Sequence, residues 1–243
     1  MVAEWTRMIT AVFPQSLDPG FGRFQEELFR NNLIRKAFLL HSGEPGRCPP
    51  RCEPVAVDSP VSGGTWNTLL ARAVTPYLLF LPDAAGLHPD LRAPERLVAA
   101  AAAAGAGMVF ADYGSISGEL LREHPVNDYQ IGSLRDGFDF GPLVLVSTAA
   151  ARKAIRKHGE IPAYRWAGWY DLRLKVSADH ELFHLPERLS IVEAAPGAGG
   201  GAATGRQHFA YCDPNNRSLQ EEMEAAATAH LRRIGAWLGP QFS

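Results

Sequence analysis

Residues 76–91 read PYLLFLPDAAGLHPDL. The apolar run YLLFL stops at Pro82-Asp83, small residues follow, and His88-Pro89-Asp90 come next. Five β-prone apolar residues bounded by prolines suit a buried strand and are too short for a helix. The strand at 77–81 is therefore expected to surface and deliver Asp83 into a turn. A carboxylate in that position either turns the corner by accepting from the backbone two residues on or meets a ligand. The segments on either side decide which.

Upstream, MITAVF at 8–13 is a short β-prone run stopped by Pro14, and FGRFQEELFRNNLI at 21–34 has helical spacing. AFLL at 37–40 is a second strand that ends in the polar HSGEPGR, and 54–57 is a weaker third. Gly63-Gly64 open a helix, TWNTLLARAV, that leads into the strand at 77–81. Downstream, 93–104 is an Ala-rich helix closed by Gly105, and MVFA at 108–111 is a fifth strand. Strand and helix alternate throughout this half, which predicts an α/β fold with a mostly parallel central sheet and helices on its faces. Ligands of such sheets gather at the carboxyl ends of strands. Pro14, His41-Ser42, Asp83 and Asp112 all follow such ends.

The second half is less regular. DYQIGSLRDGFDFGPLVLVS becomes a strand at 143–146, 148–158 is a basic helix closed by Gly159, and 170–176 reads as a helix. Residues 182–185 and 189–192 read as two strands flanking a turn, and the Gly- and Ala-rich 196–205 as a flexible loop. A last helix spans 218–238, with Leu219, Met223, Ala226, His230, Ile234 and Leu238 near one face. Ser218 with Glu221 three residues on has the pattern of a capping box. The apolar face of this helix docks on the sheet domain or is shared with another subunit of a homo-oligomer.

Composition sets the frame. The chain has 243 residues, 46% of them hydrophobic and 21% charged, enough for one sizeable core. We expect a single domain over 1–243, with divisions near 115 and 210 and a C-terminal helix over about 218–238. A formal net charge of −2 provides no basic field for nucleic acid. Cys48 and Cys52 form a C-x3-C pair without the second pair that a zinc site needs, and Cys212 stands apart. The opening residues have no secretory pattern, and the Ala-rich block at 97–110 is too short to span a bilayer. A soluble protein of the reducing cytoplasm is expected.

The order of elements resembles the GT-A fold of family-2 glycosyltransferases. There the first strand ends in Pro, the second in a polar nucleotide-binding loop and the fourth in an acidic motif, with an Asn-bearing helix before it. TWNTLLARAVTPYLLFLPDAAGLHPDLR has that rhythm, with Asn67 at the Asn position and Asp83 in the acidic motif. LPERLSIVE is similar to a later family segment, and RQHF to the His region after it. GSLRDGFDFG at 132–141 and HFAYCDPNNRSLQEEME at 208–224 resemble segments of a bacterial family-2-like subgroup. Two departures stand out: the acidic motif has one carboxylate where the family has two, and the family's base position falls at Gly168 or Trp169, two residues before Asp171.

The resemblance implies an inverting transfer of a sugar from a nucleotide-sugar donor to an acceptor that the sequence does not name. Such a reaction needs a base for the acceptor hydroxyl, positive charge for the leaving diphosphate, and a pocket that aligns the donor. Asp171 is the expected base, with Asp136 as the second catalytic acid. The alternative for Asp171 is an ion pair with Arg173 or Lys175. Pro14, Ser42, Asn67, Asp83, Asp112, Arg135 and Asp139 are the expected nucleotide-sugar contacts. Mn²⁺ or Mg²⁺ would be held by Asp83 and His208, since these ions take carboxylate and Mn²⁺ also takes imidazole. A nucleotidyltransferase is the rival enzyme, but FPQSLDPGFGRF at 13–24 lacks a dense Gly-Lys phosphate loop. A rival of another class is a non-catalytic module that keeps the fold and has lost metal and base.

Overall fold

The computed structural model describes residues 6–46, 48–132, 134–193 and 216–239. The first half alternates as read, apart from an added short strand β5: β1 (Ile9–Pro14), α1 (Phe21–Arg30), β2 (Ile34–His41), β3 (Cys52–Ala56), α2 (Gly63–Arg72), β4 (Tyr77–Phe80), β5 (Leu87–Pro89), α3 (Ala93–Ala104) and β6 (Met108–Ser117). β7 (Leu120–His124) and β8 (Val144–Ser147) follow, then α4 (Thr148–His158), α5 (Gly168–Ser177), β9 (Leu182–Glu193) and α6 (Arg217–Arg233). One sheet runs in the order β3-β2-β1-β4-β8-β6-β9-β5, with β7 added to β6.

β1 lies between β2 and β4, and β2 beside β3, all parallel. β8 enters antiparallel between β4 and β6. β6 and β9 are parallel again, while β5 and β7 add antiparallel edges. The sheet is thus parallel through its N-terminal half and mixed beyond it.

Side chains alternate across this sheet, as the two-residue period of a strand requires. Ile9, Ala11 and Phe13 of β1 join Leu28 of α1 and Leu97 of α3 on one face. Val12 points the other way, into a core with Trp66 of α2, Phe80, Phe110, Ala151 of α4 and Leu172 of α5. A smaller apolar cluster, Ala167, Tyr170, Leu174 and Ala226, seats α6 on α5.

Several bounds differ from the sequence reading for local reasons. α1 stops at Arg30 because the side chain of Asn31 accepts from Leu33 N at 2.9 Å, which turns the chain so that Leu33 and Ile34 enter the sheet side. α3 ends as read, since Gly105 takes the left-handed φ of +62° that closes the helix. The turn expected between two strands at 182–192 is instead a bulge inside β9. Ala111 of β6 pairs with Leu185 and Asp112 with Arg188, so Pro186 and Glu187 are extruded. There Glu187 meets Arg96 of α3. α6 starts at Arg217 with Asn216 as N-cap and no side-chain cap bond, so Ser218 and Glu221 form no capping box.

α2 and α5 meet at their N-terminal ends almost without side chains. A Cβ on Gly168 would lie 2.2 Å from Gly63 N, and one on Gly63 would lie 1.9 Å from Pro162 O. Nothing lies within 4 Å of a Cβ built on Gly64. Gly168→Ala is expected to lower stability by about 1–3 kcal/mol through backbone overpacking. Gly64→Ala should raise it by about 0.5–1 kcal/mol through the lost flexibility of the unfolded chain. Urea midpoints of the two variants should move in opposite directions.

His230 is 1% exposed at the α5–α6 contact. Burial, with Arg233 beside it, pulls its imidazole down to about 4. Between that value and the ordinary pKa of about 6.5 the unfolded chain binds a proton that the folded one refuses. Stability contributed by neutral His230 is therefore complete above about pH 6.5 and falls as the pH drops toward 4. Thermal melts from pH 7 to 5 should lose melting temperature, and His230→Leu should flatten that slope.

Candidate functional site

The parallel half places the ends of β1, β2, β3 and β4 along one edge. Pro14 is the last residue of β1 and pairs with Leu40, so Ser42 lies just beyond it on the neighbouring strand. Gln15 continues from Pro14 and accepts from Gly46 N at 2.9 Å, which ties the loop after β2 to the end of β1. Asp83 follows β4, where its carboxylate accepts from Ala85 N at 2.9 Å and shapes the turn.

A cavity of about 370 Å³ opens where β2 and β3 end and α2 begins. Its wall includes His41 at the end of β2 with Ser42 and Gly43 just after it, Asp58 after β3, and Ser62, Gly64, Thr65 and Thr68 of α2 and its cap. Val57 N donates to His41 O at 2.8 Å, which holds the two strand ends together. His41 Nδ1 donates to Gly43 O at 2.6 Å, so a neutral ring presents Nε2 as an acceptor. Ser62 caps α2 by accepting from Thr65 N at 3.2 Å. The wall therefore carries hydroxyls, an imidazole, a carboxylate and the positive end of a ten-residue helix. Such a set can bind a polar ligand with both donor and acceptor groups.

Along the same edge, beyond β8, lies a second polar group. Asp112 on β6 accepts from Val126 N and from His184 Nε2, each at 2.8 Å. His184 Nδ1 meets Asp128 at 2.8 Å, and the ring stacks on Phe110 at 5.4 Å. Asp139 accepts from Gly141 N at 2.8 Å and from the Tyr113 hydroxyl at 3.2 Å. Burial and the Asp139 carboxylate push the Tyr113 phenol up to about 12, so it remains a donor. Arg135 and Asp136 are exposed on the loop before β8, and the Asp136 carboxylate accepts from Gly137 N at 2.8 Å. Beneath that loop the buried Arg173 of α5 donates to the carbonyls of Arg135 and Asp136. No hydrogen bond or ion pair joins Asp83, Asp112 and Asp136 to one another.

Two expected site residues are corrected by their surroundings. Asn67 brackets the backbone of Ile161, donating to its carbonyl at 2.9 Å and accepting from its N–H at 3.3 Å, so its amide is committed to structure. Asp171 is 2% exposed and is paired in the core with Lys175, with Arg233 at 3.8 Å. That carboxylate is out of reach of an acceptor hydroxyl. Gly168 and Trp169 were the two residues expected near the family's base position; Gly168 has no side chain, and Trp169 is packed against Trp66 at 4.6 Å and Phe80 at 4.9 Å. His208 lies outside the described residues. Among the described residues no group of three or more His, Cys, Asp or Glu could hold a metal ion. Asp83 with one carboxylate does not fit Mn²⁺ or Mg²⁺ by itself, and no step below is routed through a metal.

Sequence reasoning missed Asp58, Thr65, Thr68 and His184. Asp58 follows a strand end as Asp83 does, and that signal could have found it. The hydroxyls of α2 and the histidine inside β9 carry no local mark.

Burial changes what Asp171 is worth. An exposed i,i+4 pair contributes at most about 1 kcal/mol, but removing one partner of a buried pair costs about 3–5 kcal/mol because the other charge is stranded. Asp171→Asn should lower unfolding free energy by that larger amount in urea titration, and Asp171→Leu with Lys175→Met should recover much of it.

No family model matches the chain, and neither does any curated protein. Solved structures are similar. A crystal structure of S. aureus TarS residues 1–349 superposes with a TM-score of 0.57 at 10% identity, over 93% of this chain and 80% of that one. TarS 1–349 in complex with UDP-GlcNAc gives 0.56 at 10% identity over 92% and 72%, and the UDP complex 0.54 at 9% over 94% and 87%. Against the TarS chain of a further crystal structure this chain spans 49% of the length. At this identity the likeness is one of fold: the chain has the α/β architecture of TarS 1–349.

Proposed function

We propose that the chain is a nucleotide-sugar-dependent glycosyltransferase whose nucleoside diphosphate occupies the cavity at the ends of β2 and β3. The observation that carries this reading is the cavity's place and chemistry. It lies at the carboxyl edge of a parallel sheet, against a helix N-terminus, in a fold shared with a protein crystallised with UDP and UDP-GlcNAc. Its volume of about 370 Å³ is within the usual range for small-molecule sites. Asp58 and the His41 Nε2 acceptor suit the donor groups of a nucleobase. The hydroxyls of Ser42 and Thr68 suit a ribose, and the N-terminal end of α2 favours phosphate oxygens.

The sugar would extend along the edge toward Asp83 and the loop that carries Arg135, Asp136 and Asp139. With Asp171 buried, the base role falls to Asp136, which is exposed and accepts only from its neighbour's N–H. Its task is to take the acceptor's proton as that oxygen attacks the anomeric carbon and the nucleoside diphosphate leaves from the opposite side, which inverts the centre. Arg135, exposed on the same loop, would supply positive charge to the leaving group.

A second reading, a nucleotide-binding module without transfer activity, is favoured by one feature. Gly168 and Trp169 stand near the base position, and the Trp169 ring is locked between Trp66 and Phe80.

Calorimetric titration of UDP, GDP and ADP, with and without Mn²⁺, tests both readings. At least one nucleotide should bind, and Thr68→Trp, which fills the cavity, should weaken it at least tenfold, about 1.4 kcal/mol. Asp136→Asn should leave that binding intact and abolish release of UDP from a UDP-sugar. Binding without any turnover in the unaltered protein would favour the module, and no binding at millimolar concentration would overturn the nucleotide reading.

A further inference from the structure

Glu222 points from α6 into the turn that precedes α5. One carboxylate oxygen accepts from Arg165 N at 3.0 Å, and the other from Trp166 N at 2.7 Å and Ala167 N at 3.2 Å. Ala167 is the N-cap of α5 and supplies no side-chain cap of its own. The N–H groups of 165–167 lie ahead of the helix's own ladder, so they need a partner from elsewhere. Glu222 thus holds, from a different helix, the turn that leads into α5 and ends at its N-cap. Bonds of this kind, from N–H to an ionised carboxylate, are about twice as strong as neutral ones.

The turn held in this way is also the support of the cavity. Tyr164 O, just before the three donors, accepts from Gly63 N at 2.8 Å. Trp169 N, just after them, donates to Val61 O at 2.9 Å. Between these bonds Gly168 lies against the backbone of Ser62 and Gly63, where no Cβ fits. Residues 61–63 are the loop and first turn from which Ser62, Gly64, Thr65 and Thr68 face the cavity. A shift of 164–169 has no slack to absorb it before it reaches that wall.

We propose that Glu222 is a positioning residue for the cavity: α6 sets the geometry of the α2 N-terminus through the turn at 164–169, and with it the affinity for a nucleotide. The affinity part rests on the nucleotide reading above; the geometric part does not. Without the carboxylate, the donors at 165–167 turn to water, the turn loosens, and the bonds of Gly63 N and Trp169 N open more often.

Glu222→Gln keeps the size and removes the charge. Val98→Ala, buried on the opposite face of the sheet, serves as a control that destabilises the core without touching this relay. Amide hydrogen exchange and UDP titration are measured on the full chain well below the melting temperature of each variant. In Glu222→Gln, exchange at Gly63 and Trp169 should quicken and UDP affinity should fall, each about tenfold (~1.4 kcal/mol), while Val98→Ala changes neither. Unchanged exchange at Gly63 and Trp169, or an equal change in Val98→Ala, overturns the proposal. If the unaltered protein binds no UDP, the nucleotide reading fails and the exchange result alone decides the relay. Should Glu222→Gln fail to fold, Glu222→Asp, which keeps the charge and shortens the reach, carries the same two readouts.

Discussion

The close approach of Gly63 and Gly168 is the constraint on which the rest of the site depends. Two helix ends meet with their backbones in contact, and a side chain on either partner would collide with main-chain atoms. Because α2 begins there, its first turn is fixed relative to α5; because α5 begins there, its axis is fixed relative to the sheet. The aromatic contact of Trp66, Phe80 and Trp169 fills the space just below, so the pair cannot slide apart without exposing three large rings. The polar wall of the cavity is therefore built on a contact that leaves no room for a side chain at Gly63 or Gly168. This is the arrangement a binding site needs: adaptable hydroxyls outside, an unyielding frame beneath.

The same contact explains the odd chemistry at the start of α5. Where a glycosyltransferase of the resembling family carries an acid, this chain has a glycine that permits the approach and a tryptophan that seals it. A carboxylate at either position would be buried against backbone or rings and would have to be paired or neutralised. The acid that remains on the helix, Asp171, has its cation in Lys175 one turn on. What the chain has kept exposed are the acids of the 134–141 loop, which Arg173 holds by its carbonyls rather than by its carboxylates.

Much of the fold was legible because its central strands are apolar runs punctuated by Pro and Gly. β1, β4 and α3 came out at or near their bounds, since Pro14, Pro82 and Gly105 act locally, within a residue or two of the chain they stop; β6 starts where expected at Met108 but runs on to Ser117, beyond the apolar MVFA. β5 and β7 were missed: LHP and LLREH are short and half polar, and they become strands only because β9 and β6 offer a free edge. The bulge in β9 was read as a turn because Pro186 breaks a ladder in either case. The site was less legible than the fold. That Asp171 and Lys175 stand one turn apart is visible in sequence, but whether that face of α5 is wet or buried depends on α6. Asn67 has the right spacing for a ligand contact and the wrong direction, since spacing along a helix does not say what lies opposite. The role of Glu222 was not legible, because bonds made across 55 to 57 residues leave no trace in a local pattern.

The bracket between Asn67 and Ile161 joins residues 94 apart, and the bond from Gly63 to Tyr164 spans a similar stretch. Contacts of such reach form late, because the entropy of closing the intervening chain must be overcome before they contribute. For a chain leaving the ribosome from its N-terminus, β1 to β4 can pair while the partners of α2's first turn are still unmade. The cavity wall then waits on the emergence of α5, and the turn before α5 waits on α6 for Glu222. Maturation of the pocket is thereby timed by α6, and a chain cut short before that helix would present the strands of this fold without a finished pocket.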